Sequence, residues 1–558
     1  ASESNRIISP DRALRLSGRF MVSTKTWPSC STIRCGEAIV ASREFMSRTV
    51  GERPISAYGA RMALNIADLF EHAVDAVPDR EILQVGSRRV TYRELEADAN
   101  RLAHYLQQRG VGAGAHVGIY AKNSIEHVVA LLAIFKIRAV VINVNYRYVE
   151  GELDYLFDNS DMVALIHEAG YARLVASTLP RHPAIHTVVV MPETEVVELS
   201  SYDGVLWADA LDGQSPERDF AERSGDDRYI VYTGGTTGQP KGVIWRHEDF
   251  WRVLGGGIDF MTGERLEEFS QSQQAASNTP MVTFPLSPLM HGGAQAALLM
   301  HLFAGHLTIL AAKFDPEQVW QTIEREGVQL IFMTGDAMAR PLIETYEAGN
   351  YDAKSLVAVA SSAAIFSRPV KQRWMSAFPH TFFTDSVGSS ETGFQGTGLQ
   401  DASELLGEGC IVSLGVESVL LDEHNQVMDL DQVGAIGRLA RSGSVPLGYY
   451  KDEEKSARTF ITVAGTRYSV PGDYARVEAG RRVTLLGRGS NSINTGGEKV
   501  YPEEVEIALK AHPDIYDVLV VGVADPTYGE TVAALIQPRG DHRPSVEELR
   551  EFGRTNLS

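Results

Sequence analysis

The residues best placed to do chemistry form one short stretch, Tyr232-Thr233-Gly234-Gly235-Thr236-Thr237-Gly238-Gln239-Pro240-Lys241-Gly242. Its glycines let successive backbone N–H groups turn toward a common centre without Cβ clashes. Threonine hydroxyls and the Lys241 ammonium add donors, so the loop is equipped to hold an anion. A Walker A loop needs Gly-Lys-Ser/Thr after four spacers; here Pro240 precedes the lysine and Gly242 follows it, which excludes that reading. A Gly/Thr-rich surface turn is the plain alternative. Ile230-Val231 leads in and Val243-Ile244-Trp245 leads out, giving strand, polar loop and second buried segment.

Further polar groups follow in Ser361-Ser362-Ala363-Ala364, in Thr384-Asp385-Ser386-Val387-Gly388-Ser389-Ser390-Glu391-Thr392, in Tyr468 to Asp473 and in Gly487 to Glu506. With Thr-Gly-Gly-Thr-Thr-Gly-x-Pro-Lys-Gly, this series resembles the adenylate-forming superfamily: acyl-CoA synthetases, peptide-synthetase adenylation domains and luciferases. The resemblance implies that Thr233, Gly234, Gly235, Thr236, Thr237, Gly238 and Lys241 clamp the β- and γ-phosphates of ATP. It makes Thr236, Lys241, Glu391 and Arg488 the catalytic residues, with Glu391 holding Mg²⁺, a hard cation suited to carboxylate and phosphate oxygens. Ser362, Ala363 and Ala364 would pack beside the adenine, and Asp385 would accept from its amino group. Ser386, Val387, Gly388, Ser389 and Ser390 would complete that wall of the ATP site. Asp473 would accept from the ribose hydroxyls and Arg488 would donate to the ribose and phosphates. Gly496, Gly497, Glu498 and Lys499 would border the pantetheine tunnel of CoA, with a hinge at Ser490. The chain departs from the pattern at Val387, where relatives carry an aromatic ring, and at Ser361-Ser362, where they carry glycines. It also lacks acidic residues at the hinge.

His291, Gly292 and Gly293 end the apolar segment Pro285 to Met290. A histidine there borders the acyl pocket in the superfamily; a satisfied structural histidine is the other reading. Likewise Ala294 to Gly305 reads either as the lining of an acyl tunnel or as an ordinary buried helix. The implied activity is an ATP-dependent acyl-CoA ligase: a carboxylate displaces pyrophosphate from ATP, and a thiol then attacks the acyl-AMP. The loop, Thr334 to Pro341 and Asp385 to Glu391 are most similar to actinobacterial long-chain or steroid side-chain CoA ligases. Two alternatives stand beside it: an acyl-AMP ligase loading a carrier protein, and a nucleotide-binding homologue without turnover.

These side chains need a scaffold. From Met62 onward the pattern alternates α and β, which predicts helix-covered, mostly parallel sheets. Asn65 is placed to cap a helix, Thr91 and Glu94 form a capping box, His116 to Tyr120 reads as a strand, and Ser124 starts a helix. Val140 to Val144, Leu356 to Ala360 and Val518 to Val523 read as buried strands, and Asn143 as a core residue. The fold expected is α/β: a large domain over 62–488 with a small β-barrel, then a small α+β domain over 489–558.

The 558 residues carry a net charge of −20, which argues against a general nucleic-acid binder. Of three cysteines only Cys410 lies in the body, so neither a disulfide framework nor a metal cluster is expected, and a cytoplasmic home follows. The most apolar run, Val128 to Val144, is broken by Lys136, Arg138 and Asn143, which argues against a membrane span and leaves peripheral membrane contact open. Residues 1–61 hold ten Lys+Arg against five Asp+Glu and read as an extension outside the fold, or as a targeting segment. The superfamily places a further lysine in a C-terminal Pro-x-x-x-x-Gly-Lys stretch. None follows Gly529, so weak adenylation with retained ATP binding is expected.

Overall fold

The computed structural model describes residues 64–192, 202–233, 239–259, 262–364, 366–400, 411–489, 492–495, 498–525, 529–540 and 542–556. The helix Ile66–Ala76 starts where Asn65 accepts from the Ala67 N–H at 2.9 Å. Thr91 and Glu94 close the expected capping box on Tyr92–Gln108. Ser124 caps Ile125–Lys136, which is buried on every side because helices and sheet surround it. Lys136 is 0% exposed and ion-paired with Glu71 and Glu96, which reach it from the two preceding helices.

An eight-stranded sheet follows from this alternation. His116–Tyr120, Val140–Asn143, Met162–Glu168, Thr187–Met191, Val205–Leu206 and Arg228–Thr233 run parallel. Lys241–Arg246 and Gly448–Tyr449 extend it antiparallel at one edge.

The second sheet has fifteen strands. Its parallel half contains Glu81–Val85, Leu307–Leu310, Val282–Pro285, Leu330–Met333, Ala358–Ser362 and Phe382–Ser389. The strand expected at Leu356 to Ala360 begins two residues later, because the Leu356 N–H still closes a turn onto Ala353 O at 3.0 Å. The expected small barrel is an antiparallel unit, Ile411–Leu414 to Arg482–Arg488, hydrogen-bonded into the large sheet through Gly393–Gln400.

From Ile493 the chain builds a separate four-stranded antiparallel sheet covered by Pro502–Lys510 and Val546–Asn556. Leu509, Ile515, Val518, Val520 and Val532 form its own core, matching the expected small α+β unit. No helix among the described residues is long and apolar enough to cross a membrane.

Candidate active site

Thr233 and Lys241 are register partners, so the anion loop is the tip of an antiparallel hairpin. Gly234, Gly235, Thr236, Thr237 and Gly238 lie outside the described residues. Gly242 is required where it stands: a Cβ would meet Ile230 Cγ2 at 2.7 Å and the Tyr232 ring at 2.8 Å. Lys241 opens the exit strand rather than sitting in the loop, and its ammonium pairs with Asp452, the N-cap of Glu453–Thr459. That hydrogen bond holds the Asp452 carboxyl below its ordinary value. The entry strand is held by Asn143, whose Oδ1 accepts from the Tyr232 N–H at 2.7 Å while its Nδ2 donates to Tyr232 O at 2.9 Å. The same amide nitrogen donates to Met290 O at 2.5 Å.

Glu391 sits in the turn between Phe382–Ser389 and Gly393–Gln400. Thr392 shapes this turn, its hydroxyl accepting from the Ser389 N–H at 3.1 Å. Two contacts fasten the turn beside the hairpin: Trp245 Nε1 donates to Ser390 O at 3.0 Å, and Tyr449 Oη donates to Glu391 Oε1 at 2.8 Å. Trp245 lies on the exit strand of the loop and Tyr449 pairs with Val243 of that strand. Glu391 is 7% exposed, and the Ser469 hydroxyl donates to its carbonyl at 2.6 Å. A single oriented carboxylate is the kind of ligand Mg²⁺ takes, since that ion keeps several waters and binds through one or two carboxylates plus phosphate oxygens.

The residues expected beside the adenine lie on or directly after adjacent parallel strands, toward whose carboxyl ends α/β sheets bind ligands. Met333, Ser361 and Asp385 align in register, as do Ser362 and Ser386. The Ser362 hydroxyl donates to Ser386 O at 3.0 Å, and Ser361 Oγ accepts from the Gly335 N–H at 3.2 Å. Ala363 has a φ of 65°, a left-handed conformation uncommon for alanine. Asp385 is buried and ion-paired with Lys371, so this cation competes with any ligand for the carboxylate. Burial pushes the Asp385 carboxyl up and Lys371 opposes that shift. Val387 packs against the antiparallel core that includes Val412 and Leu439. Gly388 pairs with Phe394 and Ser389 with Gly393 across the hairpin.

Asp473 and Arg488 are register partners at one end of their hairpin, which sets the backbones of both expected ribose residues opposite each other across the two strands. The side chains of Arg488, Glu498 and Lys499, and all of Ser490, Gly496 and Gly497, lie outside the described residues.

His291 occupies the N-cap position of Gly292–Phe303 and is exposed. A Cβ on Gly292 would lie 2.7 Å from Val231 Cγ1, so this helix start presses on the strand that enters the loop. Gly293 has open space around it. Phe332, Ala360 and Thr384 are half-buried neighbours in register on one sheet face, with His301 of this helix 5.3 Å from the Phe332 ring. The opposite face carries Ile331, Val359 and Phe383, all in a closed core.

Sequence reasoning named the stretch Gly448 to Asp452 and Trp245 without giving them a role, read Asn143 as core, and missed Lys371. A lone asparagine inside an apolar strand was a readable signal. Lys371 offered none.

The profile of the AMP-binding enzyme family matches residues 70–450, and that of the AMP-binding enzyme C-terminal domain matches 504–558. The chain belongs to the AMP-binding enzyme family. It is 53% identical over 504 residues to the 3-oxocholest-4-en-26-oate–CoA ligase of Rhodococcus rhodochrous, spanning 89% of this chain and 91% of that ligase. It is also 53% identical over 503 residues to a medium/long-chain-fatty-acid–CoA/3-oxocholest-4-en-26-oate–CoA ligase of Mycobacterium marinum, with the same 89% and 91% covered. Among solved structures it is similar to the anthranilate CoA ligase AuaEII in complex with anthranoyl-AMP, with a TM-score of 0.76 at 21% identity. That likeness covers 89% of this chain and 92% of the other and speaks for the fold.

Proposed function

We propose that this AMP-binding enzyme is an ATP-dependent acyl-CoA ligase for long-chain fatty or steroid side-chain acids. The observation that carries the reading is the fastening of the Glu391 turn to the loop hairpin by Trp245 and Tyr449. This supports a reading in which an oriented carboxylate stands beside the hairpin whose tip would hold the phosphates. The identity to named CoA ligases supports both the thiol acceptor and the acid class.

A carboxylate oxygen is a poor leaving group. In the first step it bonds to the α-phosphorus of ATP, and the bond to the β-phosphate oxygen breaks to release pyrophosphate. In the second, the CoA sulfur bonds to the acyl carbon, AMP leaves and the thiol proton is lost. The chain's part in the first step is to align carboxylate and phosphorus and to stabilise growing negative charge. Thr233 to Lys241 would hold the β- and γ-phosphates, with Lys241 exchanging Asp452 for phosphate. Asp473 and Arg488 would hold the ribose. Glu391 would hold Mg²⁺, which when bound neutralises phosphate charge. Residues 62–488 would act as the large domain and 489–558 as the small one, turning about Ser490 so that Gly496 to Lys499 reach the CoA. A cytoplasmic setting fits a chain whose substrates are ATP and CoA.

Pyrophosphate release with ATP, Mg²⁺ and a series of acids, followed by thioester formation with free CoA, tests the reading. Glu391→Gln should lower pyrophosphate release on the order of 10²–10³-fold. Absence of release by the wild type with every carboxylate would sink it. Thioester formed only on a carrier-protein phosphopantetheine would replace CoA as acceptor.

A further inference from the structure

His301 lies on Gly292–Phe303 and is 4% exposed, yet neither ring nitrogen has a hydrogen-bond partner. Buried polar groups are normally paired, and an apolar side chain would fill a purely structural position without loss. Its aromatic neighbours are the half-buried Phe332 at 5.3 Å and His306 at 5.5 Å. His306 is already engaged, its Nδ1 accepting from the Met281 N–H at 3.2 Å. Burial pushes the His301 pKa down to about 3, so the ring is neutral and offers one N–H donor and one lone pair.

The placement gives these idle groups a direction. Ala294, Ala297 and His301 follow at helical spacing on one face, with small side chains first and the imidazole last. His301 stands beside Phe332, which is half-buried and in register with the half-buried Ala360 and Thr384. His301 is ten residues along the helix from His291. At the rise of an α-helix this separation is about 15 Å. A sterol nucleus with its side chain spans a comparable length.

We infer that His301 reads a polar oxygen, ketone or hydroxyl, at the far end of the acyl substrate and favours such acids over plain ones. The inference rests on the acyl-CoA ligase reading. An oxygen brought to this point would satisfy a buried donor, while an acid lacking it would leave the imidazole unpaired, the situation in which a polar site discriminates strongly.

The test compares kcat/KM for matched acids: a 3-oxo sterol side-chain acid, its 3-hydroxy and 3-deoxy counterparts, and a long-chain fatty acid with and without an ω-hydroxyl. The wild type should favour the oxygenated members on the order of tenfold or more. The ketone and hydroxyl arms show which oxygen is preferred. His301→Leu should remove that preference while leaving the plain fatty acid within about twofold, and His301→Gln should restore part of it. The plain acid reports folding and catalysis in every variant. Equal loss on all acids, or a wild type that treats matched acids alike, overturns the inference and leaves the ligase reading standing. No pyrophosphate release with any acid overturns the ligase reading instead.

Discussion

The strands Leu330–Met333, Ala358–Ser362 and Phe382–Ser389 present two faces that are packed differently. Ile331, Val359 and Phe383 point into a core shared with Trp320 and Trp374. Phe332, Ala360 and Thr384, one residue along each strand, remain half-buried, with His301 of the helix that starts at Gly292 beside Phe332. A β-strand sends alternate side chains to opposite faces, so one backbone serves both. One face is closed in a core and the other is half-buried, and on the proposed reading the half-buried face would receive the acid.

Mutations on the two faces should separate accordingly. Trp374→Ala, in the closed core, should cost about 3–5 kcal/mol in denaturant unfolding, with activity per folded molecule retained. The neighbours Ile331 and Phe332 give the sharper contrast. Ile331→Ala should cost about 2–5 kcal/mol. Phe332→Ala should cost clearly less and shift acid preference instead; equal destabilisation would break the comparison. Ala360→Leu, filling the open face, should change stability by no more than about 1.5 kcal/mol. It should lower kcat/KM for long or bulky acids on the order of tenfold while sparing short ones.

A pH series probes the interior from another side. Burial pushes His127, His167 and His247 down to about 4 and His301 to about 3, from an ordinary value of 6.5. Between these values the unfolded chain takes up protons that the fold excludes. Stability is therefore full above pH 6.5 and falls as pH is lowered toward 4. Melting temperatures from neutral pH downward should decline over this window, and His301→Leu should flatten the decline. The smallest effect belongs far from both faces: Glu94→Ala, which opens the capping box, should cost about 0.5–1 kcal/mol and leave acid preference unchanged.

Local chemistry was the legible part of this chain. The caps at Asn65, Thr91 and Ser124 and the strand His116–Tyr120 stand where the sequence placed them, because each depends on neighbours a few residues away. The two strands that flank the glycine-rich loop were legible for the same reason. What could not be read depends on distant partners. Lys136 looked like a break in an apolar run, but Glu71 and Glu96 pair with it where it has no exposed surface. Asp385 was named as a ligand acceptor without Lys371, since nothing in the sequence links that lysine to it. The two faces were also hidden: Leu330-Ile331-Phe332-Met333 is apolar throughout, so alternation carries no contrast.

Asn143 has a consequence for how two substrates share one protein. Its side chain grips Tyr232, on the strand that enters the glycine-rich loop, and Met290, immediately before His291. Any shift of one segment when its ligand arrives changes the geometry at the other, and such coupling acts with equal strength in both directions. On the proposed reading, this one carboxamide would make the filling of the loop and of the acid side a joint equilibrium rather than two separate ones.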